Sequence, residues 1–96
     1  MATQKFASLP IAYGTATTAT ASDTIATGLK KVTAVIVSAA SGDETNKFFF
    51  GSIGDQAGTP AAGSFLLVSK KDTDADAALV DATTFGIVVN WIALGN

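Results

Sequence analysis

The stretch that most constrains the fold is Thr84–Leu94, TFGIVVNWIAL, which contains no charged residue and no proline. Side chains alternate between the two faces of an extended strand. One face would carry Phe85, Ile87, Val89, Trp91 and Ala93, and the other Gly86, Val88, Asn90, Ile92 and Leu94. A strand that is apolar on both faces cannot leave one side in water. We therefore expect the central strand of a sandwich, or a strand with one face in the fold and the other against a neighbouring subunit.

Other segments repeat this short extended pattern. Val32–Ala40, VTAVIVSAA, is rich in β-branched residues, which favour strands over helices. Lys47–Gly51, KFFFG, and Ser64–Lys71, SFLLVSKK, have large apolar residues on both faces, and clusters of turn-forming residues separate the segments. The pattern predicts an all-β fold: a single small antiparallel β-sandwich, jelly-roll-like, with about six or seven strands and no helix.

The first 22 residues differ in composition from the remainder, being dominated by Thr and Ala between residues 14 and 22. We expect residues 1–22 to form an extended N-terminal arm that lies along a neighbouring chain, and residues 23–96 to form the sandwich domain. The large apolar residues of the arm are candidates for contact with a partner. They are Phe6, Leu9, Ile11 and Tyr13.

The balance of apolar and charged residues indicates that this chain associates with copies of itself. Hydrophobic residues make up 48% of its 96 residues and charged residues only 15%, against about 25% charged in a typical soluble domain. A domain of this size has a thin stability margin and often relies on disulfides, metals or partner subunits. The absence of Cys and His leaves subunits as the expected source of further burial. Candidates for the subunit interface are Phe49, Val88, Trp91, Ile92 and Leu94.

Several classes of function are not expected. Without His, Cys or Arg, the common pairs of nucleophile and base are missing, so we predict no enzyme activity, no catalytic residues and no cofactor. Asp72–Asp76, DTDAD, begins like an EF-hand loop, but Ala77 replaces the turn glycine and Thr83 the closing glutamate, so we predict no metal site.

Charge and hydropathy narrow the partners further. A net charge of −2 without any Arg argues against nucleic acid. No apolar run reaches the roughly 18 residues of a membrane helix, so no membrane partner is expected. The Gly-rich segment from residue 52 to 63 predicts a long irregular loop, whose tip residues Asp55 and Gln56 are candidates for partner contact.

Two motifs carry a family resemblance. They are TIATGLKKVTAVIVSAA at Thr24–Ala40 and VNWIALGN at Val89–Asn96. Together they resemble small β-sandwich proteins of tailed-bacteriophage virions, and the closing strand is similar to that of H-type lectin domains. The resemblance implies a sandwich that packs as a homotrimer, as in capsid decoration (cement) proteins, with similar domains in tail fibres. H-type lectins use Arg and His among their sugar contacts, and this chain has neither.

Two functional hypotheses follow. The first is a structural virion protein that decorates the phage head as a homotrimer, with the major capsid protein as partner and Phe6, Leu9, Ile11 and Tyr13 as capsid contacts. The alternative is a carbohydrate- or receptor-binding module of a tail fibre or baseplate, with sugar contacts from Trp91, Tyr13, Asp55 and the acidic turn. The N-terminus MATQKFASLP lacks the pattern of a secretory signal, so we expect synthesis in the host cytoplasm and residence in the virion.

Overall fold

The protein folds as two antiparallel sheets, seen in a computed structural model that describes residues 10–41, 47–72 and 79–96. Sheet A has the strand order β1-β7-β3, and sheet B has the order β2-β5-β4, with β6 also paired to β5. The strands are β1 (Ile11–Thr17), β2 (Ser22–Ala26), β3 (Val32–Ser41), β4 (Lys47–Ser52), β5 (Ser64–Lys71), β6 (Val80–Asp81) and β7 (Val88–Gly95). The predicted all-β sandwich with six or seven strands is confirmed. The described ranges include no helix of the length and apolarity needed to cross a bilayer.

The core lies between the central strands of the two sheets, β7 and β5. Alternate residues of each strand are buried. They are Val89, Trp91 and Ala93 on β7, together with Ile87 just before it, and Phe65 and Leu67 on β5. The rings of Phe65 and Trp91 meet edge to face, with centroids 5.5 Å apart and planes at 63°, a favourable aromatic geometry. The face of the closing strand that carries Ile87, Val89, Trp91 and Ala93 is therefore the one turned toward the core.

The indole of Trp91 packs directly against the backbone of β1, where Gly14 stands opposite it. A Cβ atom at Gly14 would lie 2.9 Å from Cζ2 of Trp91, closer than real Cβ atoms approach other atoms. The absence of a side chain at Gly14 is thus what allows the largest core ring to lie against the edge strand of sheet A.

The closing strand is shorter at its start than the apolar run predicts, because it begins at Val88 rather than at Thr84. Thr18 is buried just after β1 and contacts the two residues that precede β7. Its Oγ1 accepts hydrogen bonds from the N–H groups of Gly86 at 3.1 Å and Ile87 at 3.0 Å. Gly86 has a φ of 91°, a region that favours glycine. Backbone hydrogen bonds also join the two segments here, from Thr18 N–H to Ile87 O and from Gly86 N–H to Thr18 O, both at 2.9 Å, so the Thr18 hydroxyl adds to the backbone pairing just before β7.

The predicted division between arm and sandwich needs correction. Residues 11–17 form β1, which pairs with β7 along its whole length from Ile11↔Leu94 to Thr17↔Val88. Sheet A therefore includes the second half of the predicted arm, because Thr- and Ala-rich residues can form a regular strand when a central strand is available to pair with. The segment 1–9, which contains Phe6 and Leu9, lies outside the described residues.

Candidate interaction surface

The most distinctive surface of the molecule is the outer face of sheet A, the side turned away from the core. It consists of Ile11, Tyr13, Thr15 and Thr17 on β1, Val88, Asn90, Ile92 and Leu94 on β7, and Ala34, Ile36 and Ser38 on β3. No other element packs on this side in the described part of the chain, since sheet B covers only the inner face.

Strand register aligns the large apolar residues of this outer face in rows. Tyr13 pairs with Ile92, which pairs in turn with Ile36, so the three side chains cross the sheet in one line. They are 80%, 47% and 67% exposed, respectively. The adjacent row contains Ile11, which is half exposed, and the partly buried Leu94. Monomeric soluble proteins rarely expose a continuous apolar patch of this kind unless it binds something.

The outer face of sheet A is also free of charge, as none of the residues of β1, β3 and β7 is Asp, Glu, Lys or Arg. Its polar groups are the hydroxyls of Tyr13, Thr15, Thr17 and Ser38 and the amide of Asn90. A partner that covers this face would therefore not have to strip water from an ion, which is the most expensive group to desolvate.

The structure brings together two sets of residues that the sequence assigned to different partners. Ile92, Val88 and Leu94 were predicted at a subunit interface, and Ile11 and Tyr13 at a capsid contact. All five lie on the outer face of sheet A, with Ile11 beside Leu94 and Tyr13 beside Ile92. These five residues form one surface. The two contacts that the sequence predicted are therefore not on separate parts of the fold.

The predicted place of two other residues at the subunit interface is wrong, because both belong to the core. Trp91 is only 7% exposed and is held between Phe65 and Gly14. Phe49 is partly buried against the same cluster. Both point inward because they sit on the core side of the two-residue alternation of their strands, and for the same reason Trp91 offers no exposed ring for a sugar.

The outer face of sheet B is a second, mixed surface. Phe48 and Phe50 are 44% and 48% exposed on β4, opposite Lys70 and Val68 of β5. Nζ of Lys70 lies 2.6 Å from Oδ1 of Asp81 in an ion pair at the solvent. This surface thus combines exposed aromatic rings with charges, unlike the outer face of sheet A.

The loop between β4 and β5 is organised by two side chains that the sequence offered as partner contacts. The expectation that Gln56 contacts a partner at the loop tip is wrong. Its side chain is 8% exposed, and its amide makes four hydrogen bonds inside the protein. Asp55 is exposed, but its Oδ1 accepts hydrogen bonds from the N–H groups of Ala57 at 2.9 Å and Thr59 at 2.8 Å. Both side chains hold the loop in shape.

The Asp55 carboxylate should make the stability of the folded protein depend on pH in the acid range. The hydrogen bonds from Ala57 and Thr59 lower the pKa of Asp55 below its ordinary value of 3.8. A carboxyl whose pKa is lower in the folded state adds stability above its unfolded pKa, and this is lost as the pH falls through the folded pKa. Asp55→Asn keeps an acceptor oxygen but no charge. Unfolding midpoints measured from about pH 6 to about pH 2 should therefore fall less steeply in Asp55→Asn than in the wild type, and parallel curves would contradict this role.

Within the described ranges, no group of three or more His, Cys, Asp or Glu residues is placed to hold a metal ion. Asp72, at the start of the acidic turn, is described; Asp74 and Asp76 lie outside the described residues.

Comparison with known proteins identifies no family. No protein-family model matches this chain, and neither the curated proteins nor the solved structures give a significant match.

Sequence reasoning missed two residues of consequence. Ile36 was placed in a strand, but its position beside Ile92 depends on the pairing of β3 with β7, two segments far apart in the chain. Gln56 was taken for a loop tip because a polar residue among glycines usually faces water. The only signal for the burial of Gln56 is the length of the loop. A long loop packed on the protein needs partners for its backbone N–H and C=O groups, and a side-chain amide can supply them.

Proposed function

We propose that this chain is a structural protein of a tailed-phage particle that binds the outside of the head and works as a homo-oligomer. Its function would be to hold neighbouring shell subunits together by covering apolar surface. The chain would carry out no chemistry. The motifs at residues 24–40 and 89–96 support the phage assignment, and the surface of sheet A supports a role in assembly.

The observation that carries this proposal is the row of Tyr13, Ile92 and Ile36 on the uncharged outer face of sheet A. Covering apolar area stabilises a complex by about 25 cal/mol per Å² before the costs of association. An uncharged sheet face with a row of exposed apolar side chains suits a broad and permanent contact with another protein. We assign this face to the shell protein.

The test compares two glutamate substitutions at sites of equal exposure. Ile92, on the outer face of sheet A, is 47% exposed, and Phe50, on the outer face of sheet B, is 48% exposed. We expect Ile92→Glu to bind heads at least about tenfold more weakly, because the contact would bury an unpaired charge. Phe50→Glu should bind like the wild type. The measurement is co-sedimentation with heads of the encoding phage prepared without this chain.

Three outcomes are informative in that experiment. Wild-type protein that does not sediment with heads overturns the head assignment. Ile92→Glu that binds normally overturns the assignment of the face. Loss of binding in Phe50→Glu alone would move the contact to sheet B. Circular dichroism of each variant verifies that the sandwich is folded before binding is measured.

One observation favours a second candidate, the carbohydrate- or receptor-binding module. The ring of Tyr13 is 80% exposed and borders an open groove of about 440 Å³ that Thr15 and Asn90 also line. An aromatic ring beside hydroxyl and amide groups can stack on a sugar and hydrogen-bond its hydroxyls. A glycan array separates the candidates, since a head-binding protein should give no hits and a sugar-binding module should give hits that Tyr13→Ala removes.

A further inference from the structure

Strand β1 forms one open edge of sheet A, and hydrogen bonds at its two ends show which backbone groups face outward. The N–H of Gly95 donates to Pro10 O at 3.3 Å, and the N–H of Thr18 donates to Ile87 O at 2.9 Å. Between these ends the register with β7 runs without a shift. Antiparallel strands alternate between residues that exchange hydrogen bonds with the partner and residues that do not. The even-numbered residues of β1 therefore face β7.

The odd-numbered residues of β1 consequently direct their N–H and C=O groups away from the sheet. They are Ile11, Tyr13, Thr15 and Thr17. No strand pairs with this side of β1 among the described residues. Such a row of unpaired donors and acceptors is a template on which another strand can add.

The other edge strands carry features that discourage pairing, and β1 does not. β3 has two register shifts against β7, and bulges of this kind disturb a straight edge. β2 is five residues long with the charged Asp23 on its inward side, and β4 begins with Lys47. β1 is seven residues long, regular and uncharged, with no proline within it.

We propose that β1 pairs antiparallel with β1 of a second copy of this chain, about a two-fold axis beside Gly14. Gly14 is the middle residue of the strand. In this register Ile11 lies opposite Thr17 of the second copy and Tyr13 opposite its Thr15, and the reverse pairs follow from the symmetry. Every outward N–H and C=O of both strands then has a partner, which no shifted register achieves.

The chemistry of β1 favours a copy of itself as the occupant of this edge. Identical strands bring identical charges together, and like charges opposite each other destabilise a pair of strands; β1 has none. On the outer face, the exposed Tyr13 ring would lie beside a threonine, and on the inner face Ala12 would lie beside Ala16. The central pair, at Gly14, has no side chains that could collide.

The consequence is a continuous six-stranded sheet, β3-β7-β1-β1-β7-β3, with the outer faces of both copies side by side. This goes beyond the proposed function, which does not depend on it. Two-fold pairing requires an even number of chains, whereas the resemblance implies three. Under the head-binding proposal, the doubled face would bind two neighbouring shell sites, and linked sites bind more tightly than separate ones.

Proline substitutions at two matched threonines test the pairing. Thr15→Pro removes an N–H that faces the open edge, so the ladder with β7 is kept while the pairing is blocked. Thr24→Pro is the control: bonds from Ser69 N–H to Ala21 O and from Thr27 N–H to Gly63 O place its N–H on the open edge of β2. Both threonines are exposed.

Light scattering over a dilution series should give the wild type a mass that is an even multiple of the 9.6 kDa chain. Thr15→Pro should halve this mass, and Thr24→Pro should leave it unchanged.

A wild-type monomer or trimer overturns the pairing, as does an unchanged mass in Thr15→Pro. A trimer that still binds heads would leave the proposed function intact, which separates the two failures. If Thr15→Pro does not fold, hydrogen exchange of the wild-type backbone tests the pairing instead.

Hydrogen exchange of the wild-type backbone gives a second readout that needs no variant. In a free β1 edge, the amides of Ala12, Gly14 and Ala16 are protected and those of Tyr13 and Thr15 are not. Pairing should protect both sets, slowing exchange at Tyr13 and Thr15 by at least about tenfold relative to a dilute sample in which the copies separate. Rapid exchange of the odd-numbered amides at concentrations where the mass is even overturns the proposal.

Discussion

Replacing Gln56 with alanine is expected to lower the free energy of unfolding by about 3–5 kcal/mol, one of the two largest effects predicted for this chain. The Gln56 Oε1 accepts hydrogen bonds from the N–H groups of Val32 at 2.8 Å and Gly63 at 3.0 Å. Its Nε2 donates to the carbonyls of Ile53 at 2.7 Å and Ser64 at 2.6 Å. One side chain thus connects the start of β3, both ends of the loop and the start of β5.

The size of the effect follows from burial. Gln56 is 8% exposed, so water does not readily reach the four backbone groups that alanine would leave without partners. An unsatisfied buried donor or acceptor costs about 1–3 kcal/mol, and partial entry of water brings the total below the sum of four such terms. Gln56 also has a φ of 53°, and alanine would inherit the same backbone conformation, so the difference isolates the amide.

Urea denaturation of the wild type and Gln56→Ala measures this effect. Asp55→Ala is the matched control, because it removes two hydrogen bonds from the same loop at an exposed position where water can replace them. We expect the control to lose clearly less stability than Gln56→Ala. Equal losses would mean that loop closure in general, rather than the buried amide, stabilises this end of the sandwich.

The second large effect is expected at Gly63, where alanine should cost at least about 3 kcal/mol. Gly63 has a φ of 86°, which costs an L-residue roughly 1–2 kcal/mol. A Cβ atom there would also collide with the carbonyl oxygen of Leu29. Relieving the collision would move a backbone that accepts hydrogen bonds from the N–H of Thr27 at 2.9 Å and its Oγ1 at 2.6 Å, each worth about 0.5–1.5 kcal/mol.

Gly28 offers a control with the same backbone conformation. Its φ is also 86°, but a Cβ atom at Gly28 would meet nothing within 4 Å. Gly28→Ala should therefore show only the conformational cost of about 1–2 kcal/mol. Thermal unfolding of both variants gives the comparison, and a Gly63→Ala variant no less stable than Gly28→Ala would show that the chain near Leu29 moves aside without loss.

Much of the fold could be predicted because the relevant signals are local. β-branched runs and turn clusters marked the positions of β3, β4 and β5, and the alternation in Thr84–Leu94 showed that both faces of the closing strand are apolar. It did not show which of the two faces the core. The interpretation failed where a distant segment decided the outcome. β1 looked like an arm because its Thr and Ala residues carry little hydrophobic signal, and its pairing with β7 is not encoded in its own composition.

The candidate surface was predictable only in part. The apolar second face of Val88–Leu94 indicated that something must lie against it, and Ile92 was selected for that reason. Nothing local to β3 or β1 indicates that Ile36 and Tyr13 flank Ile92, since the alignment of these residues is set by strand register. Register depends on which strands become neighbours and on the lengths of the connections between them.

The sequence by itself thus determined the all-β class, the direction of side chains within each strand and the lack of the usual catalytic groups, because each depends on residue type or on a period of two. Tertiary structure alone decided that β1 lies at the edge of sheet A among the described strands, that Tyr13, Ile92 and Ile36 form one row, and that Gln56 is buried. These features arise from contacts between residues far apart in the chain, and such contacts exist only once the two sheets have paired and packed.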